Sequence, residues 1–327
     1  YNYIKILIFL FLFTTLTISS QDLSKVDKVI KSYPYLSSIE ELAKKIDFSF
    51  NTDLEKAKAA YTWLTLNIVY YKEETSLLKA PESIFYTSKE DLEYRMKWLR
   101  RTSDNKVISE TFKNRKGVCE GYALIFSKIC DLLSIENELI KGYVKILPKQ
   151  IGSLAKNKNH IWNTVKINGN WVLLDVTFGV GTNFMVNHRS RAELNKPYFN
   201  IDKEKLNLTH YPSEKKWLDF MEQKPLKQFC DEPIFDTTFL SSNAKLISHK
   251  EGLIIVDTKK KIQLKVKNLN FYTKISYSYN GNRKIKKPAI YNYNSHTEIV
   301  INSPLKNSFL NIYFDSLLAI QYKVVVK

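Results

Sequence analysis

The chain is predicted to fold as an α+β protein whose C-terminal part is all β. Residues 22–115 carry apolar positions at helical spacing together with helix-start signals. Residues 139–176 carry strand-like runs around one Asn-Gly turn. From about Phe239 onward, apolar residues alternate with polar ones and turn residues recur. A length of 327 residues suits about two domains. These are a core domain over residues 21–235, with a helical N-terminal part and an antiparallel sheet, and a small β-sandwich over residues 240–327. The content of 44% hydrophobic and 13% aromatic residues excludes a disordered chain.

The first twenty residues stand apart. Lys5 precedes an apolar run from Ile6 to Leu12 that continues through Phe13, Leu16 and Ile18, and Ser19 and Ser20 close it. This is the pattern of a secretory signal peptide. The run is shorter than the ~20 residues that cross a bilayer, so export with cleavage is expected and a permanent membrane anchor is not. No Cys adjoins Ser19 or Ser20, so no lipoprotein anchor is indicated. The cysteines, Cys119, Cys130 and Cys230, are too few and odd in number for a disulfide framework, and they raise the question of a reactive thiol. The net charge of +17 comes from Lys spread along the chain, with no Arg-rich block among aromatics. Specific nucleic-acid binding is therefore not expected.

In the helical part, Ser38 with Glu41 and Thr52 with Glu55 fit capping boxes. Leu54, Ala57, Tyr61, Leu64 and Ile68 follow at helical steps, and Trp63 lies in the same helix. Ala123, Phe126, Ile129, Cys130 and Leu133 mark an amphipathic helix that starts at or just before Cys119, with Cys130 in its core face. Strands are expected over Leu139–Ile146, Ile161–Ile167 and Trp171–Val176, the last two joined by Asn168-Gly169, a hairpin signal. Further on, Ile262, Leu264 and Val266 alternate with polar residues, and Asn280-Gly281 marks another turn. Ile299–Ile301, Leu310–Phe314 and Tyr322–Val326 complete the sandwich. No catalytic cluster falls there, and the chain has no internal repeat or Gly-rich phosphate loop.

Chemistry concentrates on Cys119, His160 and Asp175. A thiol at a helix N-terminus meets unpaired N–H groups and the positive end of the dipole, which favour the thiolate. The Cys119 N–H can also face an oxyanion, and Gly117 and Gly121 would leave room for a substrate backbone beside the sulfur. A thiol nucleophile needs a base, and the base needs an orienting group. If Asn168-Gly169 is a two-residue turn, Ile167 pairs with Asn170, and counting back along both strands sets Trp162 opposite Asp175. His160, two residues from Trp162, shares its face. His160 and Asp175 are then diagonal neighbours at about 7–8 Å. An odd-length turn would separate them. His188, His210, His249 and His296 lie in no such context, and no H-x-x-x-H or C-x-x-C spacing suggests zinc. Cys230 precedes Asp231-Glu232-Pro233 in an expected loop, its role open.

The runs Gly117-Val118-Cys119-Glu120-Gly121-Tyr122-Ala123, Asn159-His160-Ile161-Trp162-Asn163 and Trp171-Val172-Leu173-Leu174-Asp175-Val176-Thr177-Phe178-Gly179 resemble the transglutaminase-like superfamily. The likeness is strongest to the branch with the kyphoscoliosis peptidase and the cytokinesis protein Cyk3. Tyr198-Phe199, His210-Tyr211-Pro212 and Trp217 resemble the tail of that core domain, so the likeness covers roughly residues 40–235. Phe178 departs from it, because many relatives carry Trp there. The resemblance implies a papain-like α+β core with Cys119 as nucleophile, His160 as general base and acid, and Asp175 as orienter. It implies acyl transfer or hydrolysis at a carboxamide or peptide bond of a protein or peptide substrate, without a cofactor or metal. Glu120, Tyr122 and Trp162 join Gly117 and Gly121 as expected cleft residues. No motif marks the second oxyanion donor, and Trp63 and Trp98 are upstream candidates. The alternative is a non-catalytic binding module at the cell surface that uses the same cleft.

Overall fold

The computed structural model of the protein describes residues 23–71, 89–153, 157–180, 196–280 and 284–327, with backbone alone for residues 89–100 and 196. The expected signal peptide, His188, the Trp98 side chain and Gly281 of the Asn280-Gly281 turn lie outside the described residues. The N-terminal layer comprises α1 (Ser24–Lys31), α2 (Ile39–Ser49), α3 (Asp53–Asn67), β1 (Val69–Tyr70), α4 (Lys89–Asn114), β2 (Lys116–Gly117) and α5 (Cys119–Leu132). Both expected caps operate. Thr52 and Glu55 form the full reciprocal box at α3. At α2, Ser38 accepts the Glu41 N–H at 3.0 Å, but the Glu41 carboxylate reaches one residue further back, to the Ser37 N–H at 2.8 Å.

The stripe read on α3 is buried, yet so are Ala59, Ala60, Thr62, Trp63 and Thr65. The helix is enclosed on all sides, because α1, α2 and α5 all pack on it. Its small residues permit that close approach, and Thr65 satisfies its hydroxyl on the Tyr61 carbonyl oxygen at 2.7 Å.

The sheet behind α5 is formed by β3 (Asn137–Val144), β4 (His160–Ile167), β5 (Asn170–Leu174) and, after the short helices α6 (Val176–Gly179) and α7 (Lys203–Leu206), β6 (His210–Pro212). Its order is β5-β4-β3-β6, antiparallel throughout. Asn168 (φ 50°) and Gly169 (φ 79°) both take left-handed conformations, as a two-residue I′ turn requires. The pairing runs from Ile167 with Asn170 to Asn163 with Leu174, the register expected from the turn length. The strand stops there, one residue before Asp175, which turns the chain into α6 instead of extending to Val176.

Alternation gives β4 two different faces. Asn163, Val165 and Ile167 meet the helical layer, where the Asn163 Nδ2 donates to the Ala123 carbonyl oxygen at 3.0 Å. His160 and Trp162 look the other way.

The chain continues through α8 (Lys215–Phe220), α9 (Leu226–Asp231), β7 (Ile234–Phe235) and α10 (Thr237–Ser241) into the strand-rich part. That part comprises β8 (Lys245–Ser248), β9 (Leu253–Val256), β10 (Lys261–Lys267), β11 (Ile275–Tyr279), β12 (Ala289–Asn292), β13 (Thr297–Asn302), β14 (Ser308–Phe314) and β15 (Leu317–Val326). One sheet has the order β12-β13-β10-β8. The other has β11-β14-β15-β7, with β9 added parallel to β15. In β10, Ile262, Leu264 and Val266 are buried while Lys261, Gln263 and Lys267 are exposed, the alternation read from the sequence. Among the described residues no helix is long and apolar enough to cross a membrane.

One apolar cluster runs without a break from Ile140, Trp162, Leu173 and Trp217 through Phe235 and Phe239 to Leu264, Ile312 and Tyr322. Phe235 pairs with Ile320, so the end of the core domain is itself a strand of the second sheet. A chain ended after Asp236 is therefore expected to lose cooperative thermal unfolding, followed by near-UV circular dichroism. A sharp transition with native near-UV signal in that fragment would instead establish a core that folds alone.

Candidate active site

Cys119 is the first residue of α5. Val118 before it is extended (φ −105°, ψ −178°) and offers no side-chain cap. The first-turn N–H groups, that of Cys119 among them, have no partner within the helix. The approach to this point is held by β1 and β2, paired in parallel with Tyr70 opposite Gly117, and the Tyr71 N–H donates to the Gly117 carbonyl oxygen at 2.9 Å. Cys119 is half-buried, whereas Cys130 and Cys230 are buried, and none of the three is in a disulfide. Burial, with Asp131 nearby, holds the Cys130 thiol far above the ordinary thiol range. Cys230, expected in a loop, lies instead in the last turn of α9.

Asp175 is the N-cap of α6. Its Oδ1 accepts the Phe178 N–H at 2.9 Å. Its Oδ2 lies 2.6 Å from His160 Nε2 and 2.8 Å from His210 Nε2. The carboxylate has no exposed surface, and the side chains of both imidazoles are almost as deep. Burial by itself raises a carboxylic acid's pKa, but here the His160 charge and hydrogen bond, then those of His210, outweigh it and hold Asp175 well below the usual carboxylate range. For His160, burial pulls downward most strongly. The Asp175 charge and hydrogen bond, helped by a side-chain hydrogen bond with Cys119 and by the charge of that group, push it up to about 10. With Nε2 committed to Asp175, Nδ1 is the ring atom left for Cys119. For His210 burial wins, and its pKa is lowered.

Aromatic rings close this pair of imidazoles off from water. Trp162 stacks on His160 at 6.0 Å, and Phe178 meets His160 edge-on at 5.2 Å and His210 at 4.9 Å. Tyr198 packs on Phe178 at 5.1 Å. On the Cys119 side stands Tyr70, its phenol pushed up to about 12 by burial and then by the charges of Cys119 and Asp175. It is a neutral hydrogen-bond donor at ordinary pH.

The structure thus joins His160 to Asp175, with Cys119 acting on the His160 ring, and it reassigns several residues around them. A Cβ on Gly117 or Gly121 would meet the Thr111 side chain at 2.6 Å or 2.5 Å, so both glycines make room for α4. Tyr122 is buried and donates its hydroxyl to the Ile68 carbonyl oxygen at 2.6 Å, which ties α5 to the end of α3, so it does not line a cleft. Trp162 is 1% exposed and supports the imidazole from below. Trp63 is stacked on Phe112 at 5.3 Å with the Arg115 guanidinium over its ring at 4.7 Å, a core residue that faces no reacting carbonyl. Glu120, in the first turn of α5, remains half-exposed beside Cys119.

The largest correction concerns His210, which the sequence offered no reason to place here. It reaches Asp175 because β6 pairs with β3, setting His210 opposite Val144 at a sequence distance no local pattern reports. The one signal was its position in the family-like run His210-Tyr211-Pro212. His160, Asp175 and His210 present ligand-type atoms within 4.8 Å of one another, but the three are already satisfied by mutual hydrogen bonds.

Residues 71–176 match the family model of the transglutaminase-like superfamily, so the chain carries a transglutaminase-like domain. The matched segment contains Cys119, His160 and Asp175 and ends before His210. Among individual proteins, the chain is similar to the kyphoscoliosis peptidase of Homo sapiens, 24% identical over 244 residues that make up 74% of this chain and 33% of that protein. It is also similar to the Lim and transglutaminase domain protein ltd-1 of Caenorhabditis elegans, 21% identical over 236 residues, 68% of this chain and 29% of that protein. The chain spans about a third of the length of these curated relatives. A solved structure described as that of a TGase superposes with a TM-score of 0.27 and 12% identity over 52% of this chain and 36% of the other, too loose a fit to carry an argument.

The charge states predict a pH dependence of stability. His160 has a raised pKa, so its contribution is complete below about 6.5 and is lost as pH rises toward about 10. The depressed Asp175 contributes above about 3.9 and loses that contribution as pH falls. The difference in urea midpoint between the wild type and His160→Gln is expected to be largest near pH 6 and to shrink toward pH 10. A difference that stays constant over that interval would show that folding does not raise the His160 pKa.

Proposed function

We propose that the protein is a thiol-dependent acyl-transfer enzyme or hydrolase acting on carboxamide or peptide bonds of protein substrates. The observation that carries this reading is the buried Asp175–His160 pair, with the half-buried Cys119 at the start of α5 close enough to act on the His160 ring. An imidazolium beside the sulfur is the state from which such a site reacts. The Cys119 sulfur attacks the carbonyl carbon as thiolate and forms the C–S bond, and the carbonyl oxygen takes the negative charge. The N–H of Cys119 faces that oxygen, and the neutral Tyr70 hydroxyl, in place of the core residue Trp63, is the second donor. His160 then gives its proton to the leaving nitrogen as the C–N bond breaks. Water or a primary amine, deprotonated by His160, attacks the thioester, and the thiolate returns. The apolar run at residues 6–18 supports an exported protein, so this thiol would work outside the reducing cytosol.

Cys119 should be alkylated by iodoacetamide faster than a free thiol of pKa ~8.5, and His160→Ala should remove the advantage. Alkylation at the free-thiol rate in a folded protein would leave only a binding cleft. Mass spectrometry of a peptide library, with and without an added primary amine, separates hydrolysis and deamidation from cross-linking. On a peptide found in this way, Asp175→Asn, which still caps α6, should reduce turnover by about 10⁴. Tyr70→Phe should cost on the order of 10²-fold in kcat, and an unchanged kcat would remove Tyr70 from the oxyanion site.

A further inference from the structure

A triad needs one hydrogen bond on its carboxylate from the base, yet Oδ2 of Asp175 here receives two. The second comes from an imidazole with no exposed surface, at 2.8 Å and with nothing between. His210 makes no contact with Cys119 that would give it a part in proton transfer to sulfur. It is held from behind, because Thr209 Oγ1 lies 2.8 Å from its Nδ1. The Thr209 hydroxyl has a single proton and two acceptors in reach, this Nδ1 and the Leu206 carbonyl oxygen at 3.3 Å. The Tyr198 phenol is kept protonated, first by burial and then by the charges of Asp236 and Asp175, and it hydrogen-bonds both this Thr209 and Thr237. Asp175 as a carboxylate only accepts, so the neutral His210 carries its proton on Nε2 and donates it there, opposite the Nε2–H of His160; its Nδ1 is then an acceptor, and the Thr209 hydroxyl donates to it.

We infer that His210 is a positioning residue, a fourth member of the site whose Nε2–H occupies one lone pair of Asp175 Oδ2 and so fixes the carboxylate against His160. The inference rests on the reading of His160 as the base of the site. Two donors on one oxygen leave the carboxylate a single orientation, with Oδ1 on the Phe178 N–H and Oδ2 between the rings. Burial lowers the His210 pKa, so a neutral ring stands next to the charged pair and adds no second cation. The ionisable groups that face this arrangement are His160 from β4, Tyr61 from α3, Tyr198 and Asp236 from the segments around α10, and Tyr70 with Cys119 from the α5 entrance. Asp236 acts on the Tyr198 phenol, and among the described residues Asp175 is the carboxylate that acts on both rings. Without the His210 donor, Asp175 can turn away, and His160 loses the support that raises its pKa.

Histidine-selective 13C/15N NMR of the full chain tests this through the five histidines, independently of any substrate. In the wild type, His210 is expected to hold its proton on Nε2 and to show no titration step at or above pH 6.5, while His160 titrates near pH 10. In His210→Phe, which refills the aromatic cage without the donor, the His160 midpoint is expected to fall by about one to three units. In His210→Gln, whose amide can still donate to Oδ2, it should stay within about half a unit of the wild type. A His210 protonated on Nδ1, or titrating as a free imidazole, overturns the inference from the wild-type spectrum alone, whatever the variants do. An unmoved His160 midpoint in folded His210→Phe also overturns it. Failure of the catalytic reading shows elsewhere, in slow alkylation of Cys119 in the same samples. Coupled imidazoles beside an inert thiol would sink the enzyme and leave the role of His210 standing.

Discussion

A carboxylate sealed from water is the constraint around which this protein is built. An isolated buried charge costs several kcal/mol or more, and Asp175 is tolerable only because three donors converge on it. Those donors come from β4, from the first turn of α6 and from β6, segments far apart in the chain. The antiparallel order β5-β4-β3-β6 brings them to one point. Stability and the chemistry of the site therefore draw on the same few atoms.

The two faces of β4 divide the work. One face is held by α5, whose first residue is Cys119, and the other carries His160 and its aromatic surroundings. On the proposed reading, nucleophile and base meet where the helix begins, at the rim between two separately packed cores. The strand-rich C-terminal part has an apolar interior continuous with the packing beneath Trp162, Leu173 and Phe178. Its contribution to the site is dryness, because a wetter floor would weaken every interaction that shifts the charges of His160 and Asp175.

Much of this was legible in the chain. The two-residue Asn168-Gly169 turn sets the pairing of β4 with β5, and that parity places His160 and Asp175 on one side. The helix start at Cys119 follows from the apolar spacing of α5, and the caps at Ser38 and Thr52 follow from local hydrogen-bonding rules that tertiary contacts do not override. What could not be read depends on contacts distant in sequence. Gly117 and Gly121 look like a clearing for substrate until Thr111 of α4 is seen to fill it. Tyr122 and Trp162 sit beside reactive residues in the sequence but turn into the two cores. His210 shares no pattern with Asp175, and only the pairing of β3 with β6 joins them.

The double duty of Asp175, cap of α6 and anchor of two imidazoles, shapes how a lineage with this fold could drift. Cys119 is half-open to solvent and its side chain supports no core, so exchange for Ser or Ala silences the thiol at small structural cost. Exchange of Asp175 for an apolar residue unseats a helix start and strands two buried rings together. Descendants that abandon reaction for recognition should therefore shed the sulfur first and keep the carboxylate. In such a chain a retained Asp175 testifies to folding, and Cys119 is the position that records whether chemistry is still under selection.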